Sequence, residues 1–89
     1  MVERTVTIRN RAGLHTRPAA AIVKIAAKFK SEFWIEKDGM PINGKSIIGV
    51  MTLAAEQGST LQLRFDGPDE AEAVEAMIQL FESGFGEPT

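Results

Sequence analysis

Three stretches of the chain alternate apolar and polar side chains with a period of two. Val2, Val6 and Ile8 interleave with Glu3, Thr5, Thr7 and Arg9; Phe33 and Ile35 with Glu32, Trp34 and Glu36; Leu61, Leu63 and Phe65 with Gln62, Arg64 and Asp66. Successive strand residues point to opposite faces, so each stretch buries one face and wets the other. Parallel sheets are covered on both faces and read as continuous apolar runs, so this alternation implies an antiparallel sheet with one open face.

Between the strands the period changes to that of a helix. Ile22, Ile25, Ala26 and Phe29 fall at i, i+3, i+4 and i+7, and Val74, Met77, Ile78 and Phe81 repeat that spacing. Asp38-Gly39 signals a two-residue hairpin into a short strand at Met40 to Asn43, where Pro41, with no N–H to donate, suits a sheet edge. Ser46 precedes Ile47, Val50, Met51 and Ala54 at helical spacing and serves as an N-cap, worth about 1 kcal/mol over alanine. Gly49 loosens that short helix by about 1 kcal/mol. One buried stripe cannot hold every apolar residue of this helix, so Ile48, with Ile47 or Met51, is expected outside. Gly67-Pro68 starts the last helix, with Asp69 and Glu70 in its first turn, Gly84 ends it, and the tail from Phe85 is expected to fray.

The order strand, helix, strand, strand, helix, strand, helix predicts an α+β fold. It is an open-faced β-sandwich, a four-stranded antiparallel sheet with three helices on one face (βαββαβα). Residues 1–89 make a single domain, and a chain this short buries only about 60–65% of its unfolded surface. Zero cysteines exclude disulfides and thiolate chemistry, and a single histidine leaves a metal only carboxylates, so neither metal nor cofactor is expected. No apolar run approaches membrane-spanning length and no leader pattern opens the chain, which predicts a cytoplasmic protein without membrane insertion.

The net charge of −2 conceals a strong asymmetry. Residues 1–30 hold seven basic residues against one acid, and residues 31–89 hold three against eleven. The only histidine, His15, lies in the basic part, whose field favours acidic partner surfaces or phosphorylated groups. The low overall pI near 5.3 and the lack of a concentrated basic run argue against nucleic acid.

His15 sits in Gly13-Leu14-His15-Thr16-Arg17-Pro18-Ala19-Ala20. Proline is tolerated in the first helical turn, so Pro18 places the cap within His15 to Arg17 and sets His15 beside free backbone N–H groups. Such a terminus holds anions, and the planar guanidinium of Arg17 suits phosphate oxygens. A neutral imidazole nucleophile, a fixed cation and backbone donors within five residues meet the needs of reversible phosphorylation of a histidine. Residue types alone favour the plainer reading, a polar helix entry with no chemistry.

The same segment resembles the active-site signature of the HPr family, histidine-containing phosphocarriers of the bacterial phosphoenolpyruvate-dependent sugar phosphotransferase system. Asn43-Gly44-Lys45-Ser46-Ile47-Ile48-Gly49-Val50-Met51-Thr52-Leu53 resembles that family's regulatory-serine segment, at the family's spacing from the histidine. The resemblance implies that His15 accepts a phosphoryl group at Nδ1 from phosphorylated enzyme I and passes it to IIA-type sugar permease components. Arg17 and the N–H groups of Thr16 and Arg17 would stabilise the transferred group. It also implies phosphorylation of Ser46 by HPr kinase/phosphorylase, a form that a transcriptional regulator could read. We expect Ala20, Lys24, Ile47, Ile48 and Met51 to form the partner-binding patch of a monomer, a phosphotransferase-system component rather than a free-standing enzyme. The alternatives are a regulatory-only or nitrogen-branch relative and a βαββαβ-type RNA-binding or interaction module.

Overall fold

The computed structural model describes residues 1–89. Strand β1 (Val2–Thr7) leads to helix α1 (Thr16–Ala26), then β2 (Glu32–Lys37), β3 (Met40–Asn43), α2 (Ile47–Thr52), β4 (Thr60–Asp66) and α3 (Glu70–Glu82), with a 3-10 turn at Gly84–Gly86. The four strands form one antiparallel sheet in the order β1-β4-β2-β3. This is the open-faced sandwich that the alternation implies.

The inward positions are those of the period-two pattern: Val6, Phe33, Ile35, Leu61, Leu63 and Phe65 are buried. Phe33 and Phe65 face each other in register and stack with ring centroids 4.4 Å apart. The helices close the core with Ala19, Ile22 and Ala26 from α1, Val50 from α2, and Ala73, Val74, Met77 and Phe81 from α3. Helix α1 packs against both α2 and α3, and α3 lies over β1 and β4. Pro41 does lie on an edge strand, and Asp38 (φ 53°) and Gly39 (φ 80°) make the tight turn.

Three boundaries differ from the sequence reading. Helix α1 ends at Ala26, so Phe29 lies beyond it and is half-buried in the following loop. Helix α2 ends at Thr52 and buries only Val50, while Ala54 leaves the helix with φ 49° and is exposed. Helix α3 begins at Glu70, after Gly67-Pro68, with Asp69 as its N-cap residue; the Asp69 carboxylate makes no capping bond and instead accepts from the N–H groups of Lys30 and Ser31 and from the Ser31 hydroxyl.

The largest difference is the tail. It is not frayed: Phe85 is buried, its ring edge-on to Phe81 at 5.0 Å, and the following residues return over the loop that joins β1 to α1. The N–H of Arg11 donates to the Pro88 carbonyl at 2.8 Å. An apolar anchor and a backbone bond together order a segment whose composition alone suggests none.

Candidate functional site

The loop of residues 8–15 delivers the histidine. The N–H of Ile8 donates to the Ser59 carbonyl and that of Leu14 to the Ala55 carbonyl, both at 2.9 Å, which pins the loop at each end. Between them Asn10 is fully buried and donates from Nδ2 to the Gly13 carbonyl at 2.8 Å. Gly13 turns the chain at φ 74°, and the helix starts three residues later, at Thr16.

His15 is the N-cap of α1, with extended backbone (φ −89°, ψ −169°) and no side-chain capping bond of its own. Its carbonyl accepts from the N–H of Ala19 at 3.0 Å. The N–H groups of Thr16 and Arg17 precede any carbonyl the helix could offer and make no bond within the protein. Pro18, with no N–H to leave unpaired, fills the rest of the first turn. No acidic residue occupies that turn, so the positive end of the helix dipole is not neutralised from within. The imidazole side chain is 43% exposed and the Arg17 side chain 70% exposed, open enough for a large partner to reach both.

A carboxylate 72 residues away in the chain completes the cluster. Nε2 of His15 lies 2.9 Å from Oε1 of Glu87, which also accepts from Asn10 Nδ2 at 3.0 Å, and Oε2 lies 3.5 Å from the Arg17 guanidinium. The hydrogen bond from His15 holds the Glu87 carboxyl below the usual carboxylate range; burial opposes this, while the Asn10 bond and the charges of His15 and Arg17 add to it. Sequence reasoning missed Glu87 because it falls in the stretch expected to fray, and its partners are distant in the chain.

The second segment is also as expected at its cap: Ser46 Oγ accepts from the Gly49 N–H at 3.1 Å. Three large apolar residues of α2 remain in solvent, Ile47 and Met51 at 41% and Ile48 at 77%. Ala20 and Lys24 are exposed on α1, which packs against α2. All the residues singled out for a partner surface are thus exposed on two adjoining helices. Among groups of histidine, cysteine and carboxylate side chains, none is arranged to hold a metal ion.

The site is thus an exposed histidine capping a helix, beside open backbone donors and a guanidinium, on an open-faced sandwich. Comparison with known proteins gives the family. Residues 2–83 match the family described as "PTS HPr component phosphorylation site". The chain is 48% identical over 87 residues to the phosphocarrier protein HPr of Treponema pallidum, covering 98% of this chain and 99% of that one. It is 50% identical over 82 residues to the HPr-like protein Crh of Halalkalibacterium halodurans, covering 92% and 98%. The crystal structure of HPr-C-His from Thermoanaerobacter tengcongensis superposes with a TM-score of 0.95 at 48% identity over the whole of both chains. The chain belongs to the HPr family of phosphotransferase-system phosphocarriers. That assignment displaces the reading as an RNA-binding module. No helix is long and apolar enough to cross a membrane.

Proposed function

We propose that His15 is the phosphoryl acceptor, taking the group at Nδ1 from phosphorylated enzyme I and passing it to IIA-type components. The observation that carries this reading is the exposed His15 ring at a helix start whose Thr16 and Arg17 N–H groups have no partner in the protein. Phosphoryl transfer asks mainly for in-line positioning and for stabilisation of charge on the equatorial oxygens. Two backbone donors and the Arg17 guanidinium offer that stabilisation, and their exposure keeps the group transferable.

Ala20, Lys24, Ile47, Ile48 and Met51 form the docking surface in this reading, and the protein works as a monomer in the cytoplasm. A small apolar patch with a basic rim suits transient encounters with several partners. Ser46 is the regulatory position, modified by HPr kinase/phosphorylase. A phosphate there adds about −1.5 to −2 charge at a helix start, so the domain stays folded while acidic partners are repelled. A transcriptional regulator is a further candidate reader of that form.

Incubation with phosphoenolpyruvate and enzyme I, followed by intact mass measurement, tests the carrier reading. A gain of one phosphoryl group that is acid-labile and absent in His15→Ala supports it; no gain in the parent chain overturns it. The regulatory-only alternative predicts that any phosphoryl gained is not passed to IIA components.

A further inference from the structure

Glu87 occupies a position that no role in the carrier cycle yet explains. Its side chain is only 7% exposed, although it belongs to the last residues of the chain. Three groups converge on it: the ring Nε2 of His15, the amide of fully buried Asn10, and the guanidinium of Arg17. Asn10 in turn is tied to the Gly13 carbonyl, so the carboxylate is braced by the same loop that delivers the histidine. Phe85 anchors the approach from one side and the Arg11 to Pro88 bond from the other.

We propose that Glu87 is a positioning residue for His15: its carboxylate holds the ring proton on Nε2, fixes the ring's rotation, and so makes Nδ1 the only nucleophilic nitrogen. An ionised carboxylate has no proton to donate, so a 2.9 Å contact with a ring nitrogen requires the hydrogen to sit on that nitrogen. Nδ1 makes no hydrogen bond within the protein and keeps its lone pair. Rotation of the ring by half a turn about Cβ–Cγ would bring Cε1 to the place of Nε2, and it would break this bond.

The inference rests on the carrier reading for its purpose. During uptake the Nδ1 lone pair forms the new N–P bond as the donor's P–N bond breaks, that bond's electron pair remaining with the donor. The proton stays on Nε2, the ring becomes a cation, and Glu87 faces the new charge. Delivery to the acceptor reverses these changes. No proton has to move between partners, and the buried carboxylate meets the cationic ring without rearrangement.

The test separates positioning from transfer by using phosphoramidate, a small donor that reaches either nitrogen without a protein partner to choose. The parent chain, Glu87→Ala and the isosteric Glu87→Gln are compared, with His15→Ala as the blank. Nitrogen-15 NMR of the neutral ring reads the tautomer, and phosphorus NMR reads which nitrogen is phosphorylated. We expect one Nε2–H tautomer and the Nδ1 product in the parent chain. Both variants should show mixed tautomers and a share of Nε2 product raised about tenfold, the scale of losing a hydrogen bond to a charged group. With enzyme I as donor, Glu87→Ala should lower kcat about tenfold with KM for enzyme I unchanged.

The same tautomer and the same product in the parent and both variants would overturn the proposal, as would a change confined to KM. If the parent chain takes no phosphoryl group from enzyme I, the carrier reading fails, and the two NMR measurements still decide the role of Glu87.

Discussion

Gly13 is the residue just before the site that least tolerates a side chain. It combines φ 74° with a methyl direction that ends 2.5 Å from the Ala55 carbonyl oxygen, so any L residue is strained and also collides with backbone. The left-handed conformation alone costs a non-glycine residue about 1–2 kcal/mol. Gly13→Ala should therefore lower the melting temperature by several degrees and slow phosphoryl uptake, measured by calorimetry and by transfer from enzyme I. A fully stable variant would show that the loop relaxes freely. The His15 cap and the Ser46 cap were legible in the sequence, because proline and serine act through local backbone rules. Glu87 was not, since what orders it is a bond spanning 72 residues.

At the level of elements, the start of α3 is tied to the loop between α1 and β2. Asp69 accepts from the Ser31 hydroxyl and from the N–H groups of Lys30 and Ser31, and these bonds, the Ser31 hydroxyl foremost, lower its carboxyl below the usual range against the opposing effect of desolvation. A carboxyl that is more acidic in the folded protein than in the unfolded chain stabilises the fold above the unfolded value. That contribution is lost as the pH falls through the folded value. Asp69→Asn should accordingly be less stable than the parent near neutral pH, and the gap should narrow as the pH drops from about 6 to about 2. Melting curves across that range check it, and a gap constant with pH would exclude the linkage. Gly67-Pro68 is a sound local signal for the start of α3, which begins at Glu70 with Asp69 as its cap, but the tertiary bonds of the Asp69 carboxylate to Lys30 and Ser31 leave no local trace in the sequence. Spacing alone sets Phe29 on the α1 stripe, but the helix ends at Ala26, where the chain turns toward β2.

For the molecule as a whole, the order of elements and the open sheet face followed from one alternation pattern, since a half-wet strand constrains the entire layer it joins. Charge is also distributed at this scale. From the basic excess of residues 1–30, Arg17 and Lys24 lie exposed on the helix that His15 caps, while the acidic excess lies in the remainder. Long-range attraction of this kind acts on encounter and is screened beyond about 10 Å at 0.1 M salt. The apparent second-order rate of uptake from enzyme I should fall steeply as salt is raised, with kcat held nearly constant. Stopped-flow or quench measurements at several salt concentrations check this, and a salt-independent rate would remove steering from the account.

The strap formed by the final residues has one more implication. Phe85 belongs to the core, whereas Glu87 belongs to the chemistry, and only Gly86 separates them. A carboxypeptidase that trimmed the chain back to Phe85 would leave a protein that melts and scatters light much as before, yet one whose histidine had lost its compass.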